Sequence, residues 1–183
     1  MGTYDSLINK GTGENYGIEL TLERFFYDNF YYTITSSIFN STYKGSDGIE
    51  RNTLFNGNYV FNALGGYEFK FKNQHSLAVN LKGVWAGGLR QVPILINESI
   101  AKAETVYDYD RAFEERIEDY YRFDLGVSYI INRPKSTHTI SLDVRNITNH
   151  INPFIQDFDI ETGKVEKLSH LGIIPAGIYR INF

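Results

Sequence analysis

The chain has 183 residues, 18 Lys plus Arg against 22 Asp plus Glu, a formal net charge of −4 and no cysteine. That size allows one domain or a piece of one. The balance of charge excludes a basic nucleic-acid binder, and the lack of cysteine excludes disulfide frameworks, thiolate zinc sites and cysteine nucleophiles. Tyr 14, Phe 13 and Trp 1 make 15% of the chain aromatic while only 42% is hydrophobic. No stretch approaches the roughly 20 consecutive apolar residues a membrane-spanning helix needs, yet there is ample apolar surface to fold. Met1–Asp5 is polar and lacks the basic-then-apolar plan of a secretory signal.

Two-residue alternation dominates from Tyr16 onward. Tyr16, Ile18, Leu20 and Leu22 oppose Gly17, Glu19, Thr21 and Glu23, which predicts a first strand running to Phe26. Phe30 to Lys44 predicts a second, with its apolar face undecided between Tyr32, Ile34, Ile38 and Tyr31, Phe39, Tyr43. A third strand carries Tyr59, Phe61, Ala63, Tyr67, Phe69 and Phe71; a fourth carries Leu77, Val79, Leu81, Gly83 and Trp85. The fifth is Tyr121, Phe123, Leu125, Val127, Tyr129 and Ile131, the sixth Ile140, Leu142 and Val144, and the seventh Gly177, Tyr179, Ile181 and Phe183. A short helical period competes only near Ile100 to Ile117. The fold class is therefore all-β, an antiparallel meander of about seven long strands.

Short and long connections alternate. Tyr27-Asp28-Asn29, Lys72-Asn73-Gln74-His75 and Asn132-Arg133-Pro134-Lys135 are turns. The other links run roughly Gly45–Asn58, Gly87–Asp119 and Asn149–Gly172. Loops beyond about 12–15 residues are uncommon in compact soluble domains, whereas short turns at one end and long loops at the other are the habit of outer-membrane barrels. Phe25, Phe26, Tyr27, Phe30, Tyr31, Phe69, Phe71, Tyr129 and Phe183 gather at the short-turn end, and Tyr16, Tyr43, Tyr59, Trp85, Tyr120 and Tyr121 at the other. Two such belts match aromatic rings at the two headgroup layers. A sheet in lipid cannot leave an open edge, and bacterial single-chain barrels have even strand numbers, so seven strands read as part of a larger barrel, with Met1–Glu14 the tail of a further loop.

Four stretches carry a family resemblance: Gly13-Glu14-Asn15-Tyr16-Gly17-Ile18-Glu19-Leu20, Tyr121-Arg122-Phe123-Asp124-Leu125-Gly126-Val127-Ser128-Tyr129, Asp143-Val144-Arg145-Asn146-Ile147-Thr148-Asn149, and Tyr179-Arg180-Ile181-Asn182-Phe183. In order and spacing the chain resembles the last strands of TonB-dependent outer-membrane receptors. The resemblance implies a 22-stranded transmembrane barrel in the outer membrane of a Gram-negative cell, of which this chain would supply the final seven strands. It also implies active uptake of a siderophore, cobalamin or glycan. The implied partners are outer-membrane lipid, the barrel assembly machinery, and, for the full-length receptor, TonB and a plug domain that this sequence lacks. Tyr179, Ile181 and Phe183 match the family's terminal assembly signal. Ligand contact would fall to the long loops, where Trp85, Arg90, Tyr107, Tyr109, Arg111 and Phe113 offer stacking and polar groups.

Other chemistry is thin. Asp108, Asp110, Glu114, Glu115, Glu118 and Asp119 cluster in the longest loop as a solvated charge run would. The four histidines, His75, His138, His150 and His170, have no metal-ligand spacing. Asp157, Asp159 and Glu161 begin like a calcium loop, but Thr162 and Leu168 break the pattern. Glu161-Thr162-Gly163-Lys164 reads instead as a hairpin turn. No nucleophile elbow, phosphate loop or dinucleotide fingerprint is present, so neither an enzyme nor a cofactor is expected. Mixed signs among Glu19, Glu23, Glu68, Lys70, Lys82, Arg122, Asp124, Asp143, Arg145 and Arg180 predict cross-strand ion pairs on the polar face. Two alternatives stand beside the receptor reading. A self-contained eight-stranded barrel with a structural or adhesive role would need an eighth strand around Ser6–Asn9, and a soluble β-sandwich binding module would need its apolar stripes covered.

Overall fold

The computed structural model describes residues 10–72 and 74–183. The residues proposed for an eighth strand, Ser6–Asn9, lie outside them. Among the described residues twelve strands occur in chain order: β1 (Thr12–Tyr27), β2 (Phe30–Lys44), β3 (Glu50–Asn52), β4 (Tyr59–Lys70), β5 (His75–Ala86), β6 (Arg90–Gln91), β7 (Glu115–Arg116), β8 (Tyr120–Arg133), β9 (Ser136–Arg145), β10 (Pro153–Asp159), β11 (Lys164–Ser169) and β12 (Ile174–Asn182). One helix, α1 (Ile96–Lys102), and one 3-10 turn, Tyr109–Arg111, complete the elements of the described residues.

The long strands form one antiparallel sheet in the order β1-β2-β4-β5-β8-β9-β12, with β3 paired to the end of β2. Each joins its sequence neighbour among the long strands, so the meander expected from the alternation is present. The first strand begins at Thr12, which places part of the anticipated loop tail, Thr12 to Glu14, in β1. Chain reversal after β1 uses Asp28 and Asn29, both at positive φ (53° and 65°), the conformation a two-residue turn matched to strand twist requires. Helix α1 lies N-terminal to most of the anticipated helical stretch, which otherwise forms the 3-10 turn and β7. The Glu161–Lys164 turn joins β10 to β11, with Gly163 at φ 67°.

Register makes one face continuously apolar, because side chains directly opposite share a face. One row runs Ile34, Ala63, Gly83, Phe123; the next runs Tyr32, Gly65, Leu81, Leu125, Val144, Pro175. Another runs Phe30, Tyr67, Val79, Val127, Leu142, Gly177. Pairing decides the ambiguous β2: Ile18 opposes Ile38 and Leu22 opposes Ile34, so Tyr32, Ile34 and Ile38 lie on the apolar side, and Tyr31, Phe39 and Tyr43 on the polar side. A shift of one residue would turn every stripe over.

Among the described residues no second layer covers the apolar face; only Ile147, Thr148 and His150 reach it, at the loop end. Ile18 is 79% exposed, Leu20 68% and Leu81 56%. The chain's accessible surface is 13221 Å², against about 9,000 Å² for a folded monomer of 21.0 kDa. Ala112, Ile117 and Phe158 are the buried hydrophobic side chains among the described residues, and all three lie in long loops. Among the described residues the sheet is thus a single wall without an apolar core, and the buried apolar side chains lie at the loop end.

The polar face is held by hydroxyls and amides. Tyr31 donates its hydroxyl to Asn80 Oδ1 at 2.7 Å, its ring covering the space over Gly66. Ser128 and Ser141 Oγ atoms sit 2.8 Å apart, and Asn62 donates to Thr35 at 3.2 Å. Arg122 pairs with Asp124 at 3.0 Å along the same strand. Cross-strand ion pairs, expected from the sequence, do not form among the described wall residues: Lys82 lies opposite Asp124 in register, but that carboxylate takes Arg122 and the Asn146 backbone N–H instead.

Candidate functional site

The long connections, residues 45–58, 87–119 and 146–173, fold together into a cap at one end of the wall. Asn56 is its hub and is fully buried. Its Oδ1 accepts from the Ser41 backbone N–H at 3.0 Å and from Asn58 Nδ2 at 3.2 Å. Its Nδ2 donates to Asn40 Oδ1 at 2.9 Å and to Asn52 Oδ1 at 2.7 Å. A short amide side chain has two donors and two acceptor lone pairs, and here all four are used.

Arg90 ties the second loop to the first. It donates to the carbonyls of Asn56 and Glu114, each at 3.0 Å, and to Asn58 Oδ1 at 3.2 Å. Burial and the nearby Arg116 lower its pKa from the ordinary arginine value. Glycine permits the close backbone approach: a Cβ on Gly87 would collide with the Gly57 carbonyl, and one on Gly88 with the Ile117 carbonyl. Asp119 closes the joint, accepting from the Tyr59 hydroxyl and from Trp85 Nε1 at 3.2 Å, with Arg116 at 3.7 Å. Burial pushes the Asp119 carboxyl up, but these donors and Arg116 outweigh it and hold the pKa below its ordinary value.

The third loop is anchored separately. Asn152 acts as one more rung of the sheet, receiving the Tyr121 N–H at 2.8 Å and donating to the Tyr121 carbonyl at 2.9 Å. Asn146, also buried, turns the chain by bonding the His150 carbonyl at 2.8 Å, and the His150 ring stacks on Tyr121 with centroids 3.7 Å apart. Thr105 donates to Asp157 at 2.9 Å, and Lys167 pairs with Glu118. Loops two and three are thereby joined.

The six residues expected to offer ligand contact fall into three settings. Trp85 lies at the loop end of β5 on the apolar face, beside Tyr59 and Phe61 (ring centroids 5.7 and 5.8 Å away). Arg90 has its guanidinium engaged inside the cap. Tyr107, Tyr109, Arg111 and Phe113 share one excursion of the second loop. Tyr107 and Tyr109 rings are 6.0 Å apart, with Tyr109 69% exposed. Burial, with Asp157 and Tyr109 nearby, raises the Tyr107 pKa. Arg111 is held by Glu114 at 2.6 Å and Glu115 at 3.5 Å, while Phe113 packs edge-on against Tyr43 at 6.2 Å.

A polar depression of about 420 Å³ lies between β3 and the 3-10 turn, lined by Glu50, Arg51, Asn52, Asp110, Arg111 and Glu114 among others. Of the six candidates only Arg111 reaches it. Arg51, which sequence reasoning missed, presents a side chain only 10% exposed there, paired to Asp47 at 2.6 Å. Its sole sequence signal was proximity to Asp47-Gly48 in a long loop. The calcium-like carboxylates have other duties: Asp159 accepts from Thr162 and the Glu161 N–H, both at 2.8 Å, so the turn itself uses them. Among the described residues no cluster of three His, Asp or Glu side chains is placed to hold a metal ion. Comparison with protein-family models, curated proteins and solved structures finds no significant match.

Proposed function

We propose that the chain is the C-terminal barrel segment of a TonB-dependent outer-membrane transporter that imports a large, scarce nutrient. The observation that carries this reading is the uncovered apolar face of a seven-strand single-layer sheet with short turns at one end and a folded cap at the other. A soluble protein exposing so continuous an apolar surface would aggregate, whereas lipid is the solvent that such a face fits. Strands of 9 to 16 residues accommodate the roughly 9–11 tilted residues that cross a bilayer.

Both sheet edges, β1 and β12, lack a second partner among the described residues. An odd number of antiparallel strands makes these edge strands run in the same direction. Closure by antiparallel pairing then demands an odd number of further strands. The resemblance agrees, since a 22-stranded barrel leaves 22 − 7 = 15 for the remainder, the seven being those of this sheet. Tyr179, Ile181 and Phe183 would serve as the assembly signal on the final strand, and the cap would meet the ligand from outside, with Tyr109 and Arg111 among its exposed groups.

Because the sequence has no cysteine, single-cysteine labelling tests the reading directly. In intact outer membranes Leu81→Cys should react with a lipid-soluble maleimide and resist a charged one, while Tyr109→Cys should react with the charged reagent from the cell exterior. Rapid labelling of Leu81→Cys by the charged reagent would overturn the membrane assignment. Tyr109→Ala combined with Arg111→Ala should then weaken nutrient uptake without changing the amount of receptor in the membrane.

A further inference from the structure

The apolar face is not uniform. At its centre Ala63 and Gly83 sit directly opposite one another, and Gly65 lies on the same face two residues along β4. Three minimal side chains leave a depression of about 720 Å³ walled by Phe30, Ile34, Tyr67, Phe69, Leu81 and Phe123. The Phe123 ring lies against the Gly83 backbone, so that a Cβ there would come within 3.0 Å of it. The floor is therefore set low by the register of two neighbouring strands, and the walls are aromatic.

A cation stands at the short-turn mouth of this depression. Arg24 pairs in register with Tyr32 and so emerges on the apolar face. Its guanidinium lies 5.7 Å from the ring centroids of both Tyr27 and Phe30, and Phe30 is itself part of the wall. One guanidinium N–H donates to the Tyr27 carbonyl at 3.4 Å, and among the described residues no carboxylate pairs with it. An arginine held by aromatic faces, with its planar fork free of a carboxylate, is arranged to receive an oxyanion bidentately.

Resting on the membrane reading above, we infer that this is a binding site for one glycerophospholipid of the leaflet on the short-turn side. Arg24 takes the phosphodiester and an acyl chain lies over Ala63, Gly65 and Gly83. Charge complementarity selects the phosphate at one end, and the apolar lining selects the hydrocarbon at the other. The two features are contiguous through Phe30, which touches both.

The test is lipid retention by the protein extracted from membranes in mild detergent, read by native mass spectrometry during titration with dioleoylphosphatidylglycerol or with dioleoylglycerol, which lacks the phosphate. The wild type should retain one phosphatidylglycerol in preference to the diacylglycerol. Arg24→Gln should weaken that retention roughly tenfold, the scale of one lost charge-assisted contact. Ala63→Phe, which fills the floor, and the milder Ala63→Leu should weaken it while Leu20→Phe, on the same face but outside the depression, should not. Equal retention by the wild type, Arg24→Gln and Ala63→Phe overturns the site. A loss with Arg24→Gln alone overturns the acyl groove. Either result leaves the membrane assignment standing if Leu81→Cys still resists the charged maleimide, and rapid labelling of that cysteine would show that the membrane reading itself had failed.

Discussion

Asn56 and Asp119 are short polar side chains on which the cap converges. Removing the Asn56 amide strands the Ser41 N–H and several amide groups in a site without solvent, and an unsatisfied buried polar group costs about 1–3 kcal/mol. Asn56→Ala should therefore destabilise the cap by about 2–3 kcal/mol while leaving the wall intact. Faster hydrogen exchange at the Ser41 and Arg90 amides, with unchanged exchange in β5, would register that. Asp119 offers a spectroscopic handle because its partner Trp85 is the chain's one tryptophan. Its folded pKa lies below the ordinary 3.8, so its contribution is complete above about that value and is lost as pH falls through the depressed folded value. Trp85 emission should hold steady from neutral pH to about pH 5 and shift only below about 4; Asp119→Asn should remove that acid transition.

Among the elements, the turn joining β1 to β2 has the simplest local physics. Asp28 and Asn29 both occupy the left-handed region, which β-branched residues tolerate poorly. Asn29→Gly should be neutral or mildly stabilising, whereas Asn29→Val should cost about 1–2 kcal/mol, measured as a lower denaturant midpoint for the folded protein. The loops behave as elements too. Gly57 and Gly87 let two of them meet backbone to backbone, so Gly87→Ala must push them apart. Its effect should appear as increased protease cleavage within residues 87–119, with the strand pattern of the infrared amide I band unchanged.

For the whole molecule, the proposed barrel would have the two faces of one wall answer to different solvents. Leu81 and Asn80 are neighbours in β5, yet the first faces lipid in the proposed barrel and the second the lumen. Arginine at the bilayer midplane on the lipid face costs about 2–4 kcal/mol, falling away toward the interfaces. Leu81→Arg should therefore reduce insertion sharply, seen as loss of the folded band in heat-modifiability gels, whereas Asn80→Arg should insert nearly normally. Equal insertion of both would mean that neither face meets hydrocarbon. The sheet edges belong to this scale as well: a 16-residue β1 with every residue exposed, and with one partner among the described residues, is a template for pairing that the further strands of the proposed barrel would satisfy.

Much of this was legible one residue at a time. Alternation of period two named the seven wall strands, and Asp28-Asn29 and Pro134-Lys135 named two of the short turns, because strand faces and tight turns are local consequences of backbone geometry; the third, Lys72–His75, includes Asn73, which lies outside the described residues. The hairpin at Glu161–Lys164 was legible for the same reason. Tertiary structure decided what the sequence left open. The face of β2 followed from its partners Ile18, Leu22 and Ala63, since its own residues offered two nearly equal stripes. Arg90 became a brace, Lys82 and Asp124 failed to pair, and Asn56 became a hub, because each outcome depends on which distant carbonyls and amides arrive at the same point. Local pattern determines what a segment is, through the few conformations open to its backbone; which polar groups meet depends on chain closure over many residues, and no short-range rule specifies it.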